Sequence, residues 1–382
     1  MRKLDTDYSI SVQLVDERGF VYGQRDSQHP GGYPTSRWAL SDYARDIHEI
    51  PLAPGTPPGE YRLHVGVYRV GAPSGLSILD ANGAPAGTAF DVSAVVVKRS
   101  GAFLSSRPQV NMPQPSQKSG VQLAPGLVLL GYDLPQAQVN VGAQLPLTFY
   151  WQATAPQTRD LRARLALVNA NGAAIVLGDI APISPQFSTN RLIAGDVMRG
   201  PNAVRIPAST PSGTFVVRIA VVDESGRATG DAVELGQVQV RVPERTMNPP
   251  HVEYPMHFDL GGQVRLTGYD MSTTRLAPGA ALTVTLEWQA LHEMTSDYKS
   301  FVHVLDASGR LVAGSDAVPA DWTRPTTGWL AGEYVADLHT LAMPGHLAPG
   351  EYRVETGLYD AESNQRLGNS VILDTVITIT PP

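Results

Sequence analysis

The chain has 382 residues, a hydrophobic content of 42% and a net charge of −7, so it can bury sizeable cores and offers no basic stripe for nucleic acid. It contains no cysteine, which excludes disulfides, thiolate metal sites and a thiol nucleophile. Met1-Arg2-Lys3-Leu4-Asp5-Thr6-Asp7 lacks the apolar stretch of a signal peptide, and nowhere do about 18 apolar residues run together as a helical membrane span requires.

Glycine (36) and proline (31) punctuate apolar runs without forming low-complexity tracts, which predicts many short strands joined by tight turns. In chain order the first segment, residues 1–98, carries Asp7-Tyr8, Asp16, Gly19, Trp38 and Pro58-Gly59-Glu60-Tyr61. These recur as Asp297-Tyr298, Asp306 and Gly309 at an offset of 290, and as Trp329 and Pro349-Gly350-Glu351-Tyr352 at 291. Residues 99–120 are rich in Ser, Pro and Gln, carry no alternating run, and read as a linker.

The second copy, residues 121–243, alternates Leu145, Leu147, Phe149 and Trp151 with Pro146, Thr148, Tyr150 and Gln152. Period-two alternation gives one buried and one wet face, as in an antiparallel sheet. Its next strand, with Ala163, Leu165 and Leu167 inward, ends at the hairpin turn Asn169-Ala170-Asn171-Gly172. A proline-stiffened connector, residues 244–256, leads to the third copy, residues 257–382. There Gly268-Tyr269-Asp270, Trp288-Gln289-Ala290 and Gly332-Glu333 repeat Gly131-Tyr132-Asp133, Trp151-Gln152-Ala153 and Gly195-Asp196 at a constant offset of 137.

Each copy therefore reads as an immunoglobulin-like sandwich of roughly seven strands. Pro-Gly-x-Tyr before Tyr61 and Tyr352 matches the tyrosine corner of such folds, with Phe215 at the equivalent place in the second copy. The first copy is incomplete. Met1 aligns with Thr154, so the Gly-Tyr-Asp and Trp strands would have to precede it. Leaving a central strand out exposes apolar surface and a strand edge. The expectation is that the natural protein continues upstream or that another chain fills the gap.

The run Asp7-Tyr8, Asp26-Ser27-Gln28, Gly32-Tyr33-Pro34-Thr35-Ser36-Arg37-Trp38, Pro57-Pro58-Gly59-Glu60-Tyr61-Arg62 and Gly66-Val67-Tyr68, with Leu130-Gly131-Tyr132-Asp133 and Phe149-Tyr150-Trp151, resembles a known kind of module. It is similar to repeat modules at the C-terminal, extracytoplasmic ends of large bacterial membrane proteins, many of which carry a mannosyltransferase-like glycosyltransferase domain upstream. The resemblance implies a cell-envelope location and a passenger or recognition role. Its motifs are structural, so no catalytic residue is carried over.

Sugar-binding sandwiches use exposed rings, which makes Tyr33, Trp38, Trp322 and Trp329 the candidate ligand residues, flanking Pro/Thr-rich loops. Trp151 and Trp288 fall on inward faces and read as core. Asp46-Ile47-His48 and Asp337-Leu338-His339 each place an acid and an imidazole on one strand face, a pair that could ligate a metal or orient a base. Two ligands do not make a site, and a hydrogen-bonded surface pair is the expected outcome. Asp133, Asp270, Asp16 and Asp306 lack calcium-loop spacing and read as caps and turns. His303 lies on an outward face, where Gln13 and Ala166 replace it in the other copies. No nucleophile elbow, phosphate loop or zinc motif occurs.

The reading is an all-β chain of tandem immunoglobulin-like antiparallel β-sandwich domains with an incomplete first copy. It is expected to be a non-catalytic, extracytoplasmic array that positions or shields a membrane glycosyltransferase, with no metal or cofactor. Expected partners are the upstream membrane domain of the same protein and a cell-surface glycan, without nucleic acid and without membrane insertion by this segment. The alternative is a carbohydrate-binding array.

Overall fold

A computed structural model describes residues 3–69, 72–79, 87–99, 113–360 and 363–381. The chain is all-β, with 3-10 turns as its only described helical elements. The predicted linker falls mostly on residues 100–112, which lie outside the described residues.

The second unit is a two-sheet sandwich. One sheet orders its strands β12 (Val197–Arg205), β9 (Gln144–Ala153), β7 (Leu127–Asp133) and β6 (Gln117–Ala124). The other runs β11 (Ala174–Ile180), β10 (Arg162–Val168), β13 (Gly213–Val222), β14 (Val233–Arg241) and β8 (Gln138–Asn140), the last pair parallel. β6 begins inside the stretch read as linker because its outer residues are polar and its pairing with β7 is broken by register shifts, which hides the alternation. Between the sheets lie Phe149, Trp151, Leu165, Leu167, Val217 and Ile219, all at most 0% exposed. Burial stabilises each such Leu or Phe by roughly 1.5–3 kcal/mol.

The third unit repeats the plan. β15 (Tyr254–Leu260), β16 (Val264–Met271), β18 (Ala281–Ala290) and β21 (Tyr334–Ala342) make one sheet. It faces β17 (Arg275–Leu276), β24 (Ile377–Ile379), β22 (Gly350–Asp360), β19 (Tyr298–Leu305) and β20 (Leu311–Ala317), with β23 (Val371–Ile372) beside β22. β15 likewise starts within the predicted connector, overlapping its last three residues (254 to 256).

The repeated Gly-Tyr-Asp has a steric reason. A Cβ on Gly131 would sit 2.3 Å from the Gln117 carbonyl oxygen, and one on Gly268 would sit 2.5 Å from the Val252 side chain. The following aspartates cap backbone, Asp133 accepting from Ser116 N–H at 2.7 Å and Asp270 from Glu253 N–H at 2.6 Å. Asp16 and Asp306 accept backbone N–H groups inside their own hairpin turns. The tyrosine corners form, with Tyr61 Oη donating to the Pro57 carbonyl at 2.7 Å and Tyr352 Oη to Ala348 at 2.9 Å.

Among the described residues the first unit has one sheet: β2 (Val21–Ser27), β1 (Tyr8–Val15), β3 (Gly59–Arg69) and β4 (Ala72–Gly75), with β5 (Ala89–Val97) paired to β3. Its buried cluster is small, centred on Leu14, Tyr22 and Tyr61. The segment 43–52, equivalent to β21, lies beside β2 through a bridge of Leu52 to Gly23, next to the Ala53 N–H that donates to the Tyr22 carbonyl at 2.7 Å, but forms no strand. In the third unit β18 pairs along the whole of β21, and the first unit has no described counterpart of β18.

Candidate functional site

The loop aromatics do not form one surface. Trp329 is fully buried in the third core, its indole N–H donating to the Arg324 carbonyl at 3.0 Å. This corrects the expectation of an exposed ligand ring: the 3-10 turn at Thr326–Gly328 aims the side chain between the sheets, where no sugar can stack. Trp38 is half-buried, and its ring lies 6.1 Å from that of Tyr33 with the planes tilted by 54°. Tyr33 is 37% exposed and its hydroxyl donates to Asp42 at 3.4 Å. Trp322 is 60% exposed, with the Lys299 ammonium 5.2 Å from the ring centroid. It ends three successive left-handed residues, Ala320, Asp321 and Trp322, at φ 54°, 52° and 67°.

The Asp-x-His pairs differ in environment. His339 Nε2 meets Asp337 at 3.2 Å and Ser300 Oγ at 2.9 Å, while Nδ1 meets Ser315 Oγ at 3.0 Å. Asp337 also accepts the Trp288 indole N–H at 3.2 Å and Ala320 N–H at 2.8 Å. Both side chains are 0% exposed, which corrects the expected surface pair. They point inward because β21 contributes 335, 337, 339 and 341 to the core. Burial pushes the Asp337 carboxyl up, but hydrogen bonds from His339, Ser300 and Ala320 outweigh it and hold the pKa below the ordinary value. Serine and aspartate share one nitrogen of the imidazole, so this is a satisfied core network with no path to a substrate. In the first unit His48 Nε2 meets Asp46 at 2.8 Å, and the pair is partly open.

Sequence reasoning missed two features. The first is an aspartate at one outer-face position in every unit, each with a different neighbour. Asp26 accepts from Tyr68 Oη at 3.2 Å, Asp179 pairs with Arg164 at 2.7 Å, and Asp316 meets His303 at 3.3 Å. In the third unit Phe301 packs over the adjacent surface, touching His303, Tyr359 and Arg366. The first unit has Ser11 at that place, and a groove of about 400 Å³ opens among Gln13, Gln24, Asp26, His64 and Tyr68.

The second is a clamp at both unit junctions. Arg99, two residues past β5, pairs with Asp196 and donates to the Arg191 carbonyl at 2.8 Å. Arg245, four residues past β14, pairs with Glu333 and donates to the Gly328 carbonyl at 3.2 Å. The acceptors correspond at the offset of 137 (191 to 328, 196 to 333). Arg324 closes on Glu333 from the other side, leaving its carboxylate 0% exposed. Beside it Arg205 bridges to Thr327 Oγ1 at 2.6 Å and Asp297 at 3.2 Å, and Gly142 approaches Gly328 so closely that a Cβ would lie 2.4 Å away. The first unit docks on the free edge of β12: Arg199 N–H donates to Gly55 at 2.7 Å and its guanidinium to Val21 at 3.1 Å. Arg18 reaches Asn202 at 3.2 Å.

Among the described residues no group of three His, Asp or Glu side chains is placed to hold a metal ion. No protein-family model matches the chain, and no curated protein matches it at a significant level.

Proposed function

We propose that the chain is a non-catalytic, extracytoplasmic β-sandwich array that spaces and positions a larger cell-envelope protein, with a membrane glycosyltransferase as the enzyme it serves. The observation that carries this reading is the repeated junction clamp. An acid, buried at Glu333 and half-buried at Asp196, is gripped by an arginine that follows the last strand of the preceding unit, which holds successive sandwiches in one orientation where a free linker would let them swing. The envelope setting rests on the module resemblance of the Tyr33–Trp38 and Pro58–Tyr61 motifs.

Because the chain lacks cysteine, introduced thiols are unique, and one pair tests both halves of the proposal. Ala170→Cys and Ala307→Cys sit at equivalent exposed turns of the second and third units. Spin labels there should give a narrow distance distribution, and intact source cells should react with a membrane-impermeant maleimide. A broad distribution would sink the positioning role. Labelling only after lysis would sink the extracytoplasmic placement.

Glycan recognition is a second reading, favoured by the first-unit groove with its carboxylate, amides and phenol. Calorimetric titration with envelope oligosaccharides should show binding that Asp26→Ala abolishes. Absence of any heat, or heat indifferent to Asp26, rejects it.

A further inference from the structure

The clamp acceptor is built three times. In each unit a threonine of a 3-10 turn, Thr35, Thr189 or Thr326, accepts the N–H that opens a strand run (Tyr8 at 2.8 Å, Leu161 at 2.6 Å, Tyr298 at 3.0 Å). Seven residues later (35 to 42, 189 to 196, 326 to 333) comes an acid. Each acid accepts the N–H three residues before it, Ala39 at 2.8 Å, Ile193 at 2.9 Å and Leu330 at 2.9 Å. Asp196 and Glu333 also take the arginine that follows the last strand of the preceding unit. Asp42 is exposed; its described side-chain donors are Ala39 N–H and Tyr33 Oη, and no guanidinium reaches it among the described residues.

The same unit has an uncovered sheet face. Ile10, Val65 and Val67 are inward by register and half-buried, and Phe90 opposite Val65 is 51% exposed. In the third unit the matching face is closed by β16 and β18, and the clamp arginine arrives on the connector just ahead of β15. Acceptor and face thus specify one occupant, and the chain itself displays that occupant twice.

We propose that the first unit is a docking site for a segment built like residues 244–290: an arginine that seats on Asp42 and the Arg37 carbonyl, followed by strands bearing the Gly-Tyr-Asp and Trp patterns that close the sheet face. Charge complementarity fixes where the segment starts, and the alternating apolar residues fix which side it covers. The segment supplies segment 43–52 with the strand partner that β18 gives β21. This holds whatever the array positions and wherever it resides.

The test joins a copy of residues 244–290 ahead of Met1 in the full chain, since Met1 occupies the place of Leu291 at the offset of 290. Hydrogen exchange is read over 43–52, with exchange in the second and third units as the check on folding. Docking should slow exchange at 43–52 by at least about tenfold. Asp42→Ala, or Arg245→Ala in the added copy, should each reverse most of that protection. Unchanged exchange at 43–52 would overturn the proposal. Protection that survives both substitutions would overturn the seat at Asp42. Sedimentation of the unaltered chain should give a monomer. A concentration-dependent dimer that protects 43–52 would assign the face to a second copy and overturn it as well.

Discussion

Arg245 leaves the second sandwich on the connector and Glu333 belongs to the third, yet the guanidinium of one closes over the 0%-exposed carboxylate of the other. The charge is out of water, so its stability depends on Arg245, Arg324 and the Leu330 N–H that surround it. Removing one arginine leaves the acid half-compensated. Arg245→Ala should destabilise the chain by about 3 kcal/mol, the low end for breaking a buried pair because Arg324 remains. Urea unfolding checks this, and a loss below about 1 kcal/mol, the worth of an exposed pair, would show that water reaches the site.

How much of this was legible beforehand divides along the range of the interactions. Strand alternation at Leu145–Trp151, its repeat at Trp288, and the tyrosine corners are local patterns, and the sandwiches follow from them. Gly195-Asp196 and Gly332-Glu333 were visible as repeats, but the partners Arg99 and Arg245 lie 97 and 88 residues away in sequence. No periodicity announces such a pairing. The burial of the Asp337–His339 pair was missed for a related reason: Ser300, which meets His339, and Trp288, which donates to Asp337, come from two other strands. Trp329 looked like a loop ring because the turn before it resembles a surface loop in composition.

Gly142 tests the junction by shape. Its φ is +79°, and a Cβ would lie 2.4 Å from Gly328 Cα, so Gly142→Ala combines a left-handed backbone penalty of about 1–2 kcal/mol with a backbone clash. Neither core is touched. The expected result is an uncoupled junction, seen in calorimetry as two transitions where the parent chain shows one. A single transition shifted by less than about 0.5 kcal/mol would mean the units are not coupled there.

The two tryptophans of the third-unit loop should behave oppositely. Trp329→Ala empties a fully buried core site and should cost about 3–5 kcal/mol. Trp322→Ala removes an exposed ring whose described partner is Lys299, so the loss should stay below about 1 kcal/mol. Thermal denaturation of the pair decides it. Equal losses would place Trp322 in the core and contradict its exposure.

Glu287 should make the third unit pH-sensitive. It stands on β18 at 7% exposure, and burial, with Asp270 and Asp337 adding repulsion, pushes its pKa up from 4.5 to about 7. The second unit has Tyr150 at this position, donating to Asp133 at 2.6 Å, so the site is one that a neutral donor fills well. Because the folded state holds this proton more tightly than the unfolded chain, its contribution is fully present below pH 4.5. It is lost as the pH rises through about 7, at roughly 1.4 kcal/mol per pKa unit, or about 3 kcal/mol in all. Asp337 titrates in the opposite sense, its lowered pKa adding stability that disappears only in acid. The two are separated by Glu287→Gln, which should flatten the stability profile between pH 4.5 and 7 and leave the acid limb intact. Urea midpoints across that window are the measurement. Parallel profiles for the parent and the glutamine variant would mean that the carboxylate ionises at its ordinary pH despite its burial.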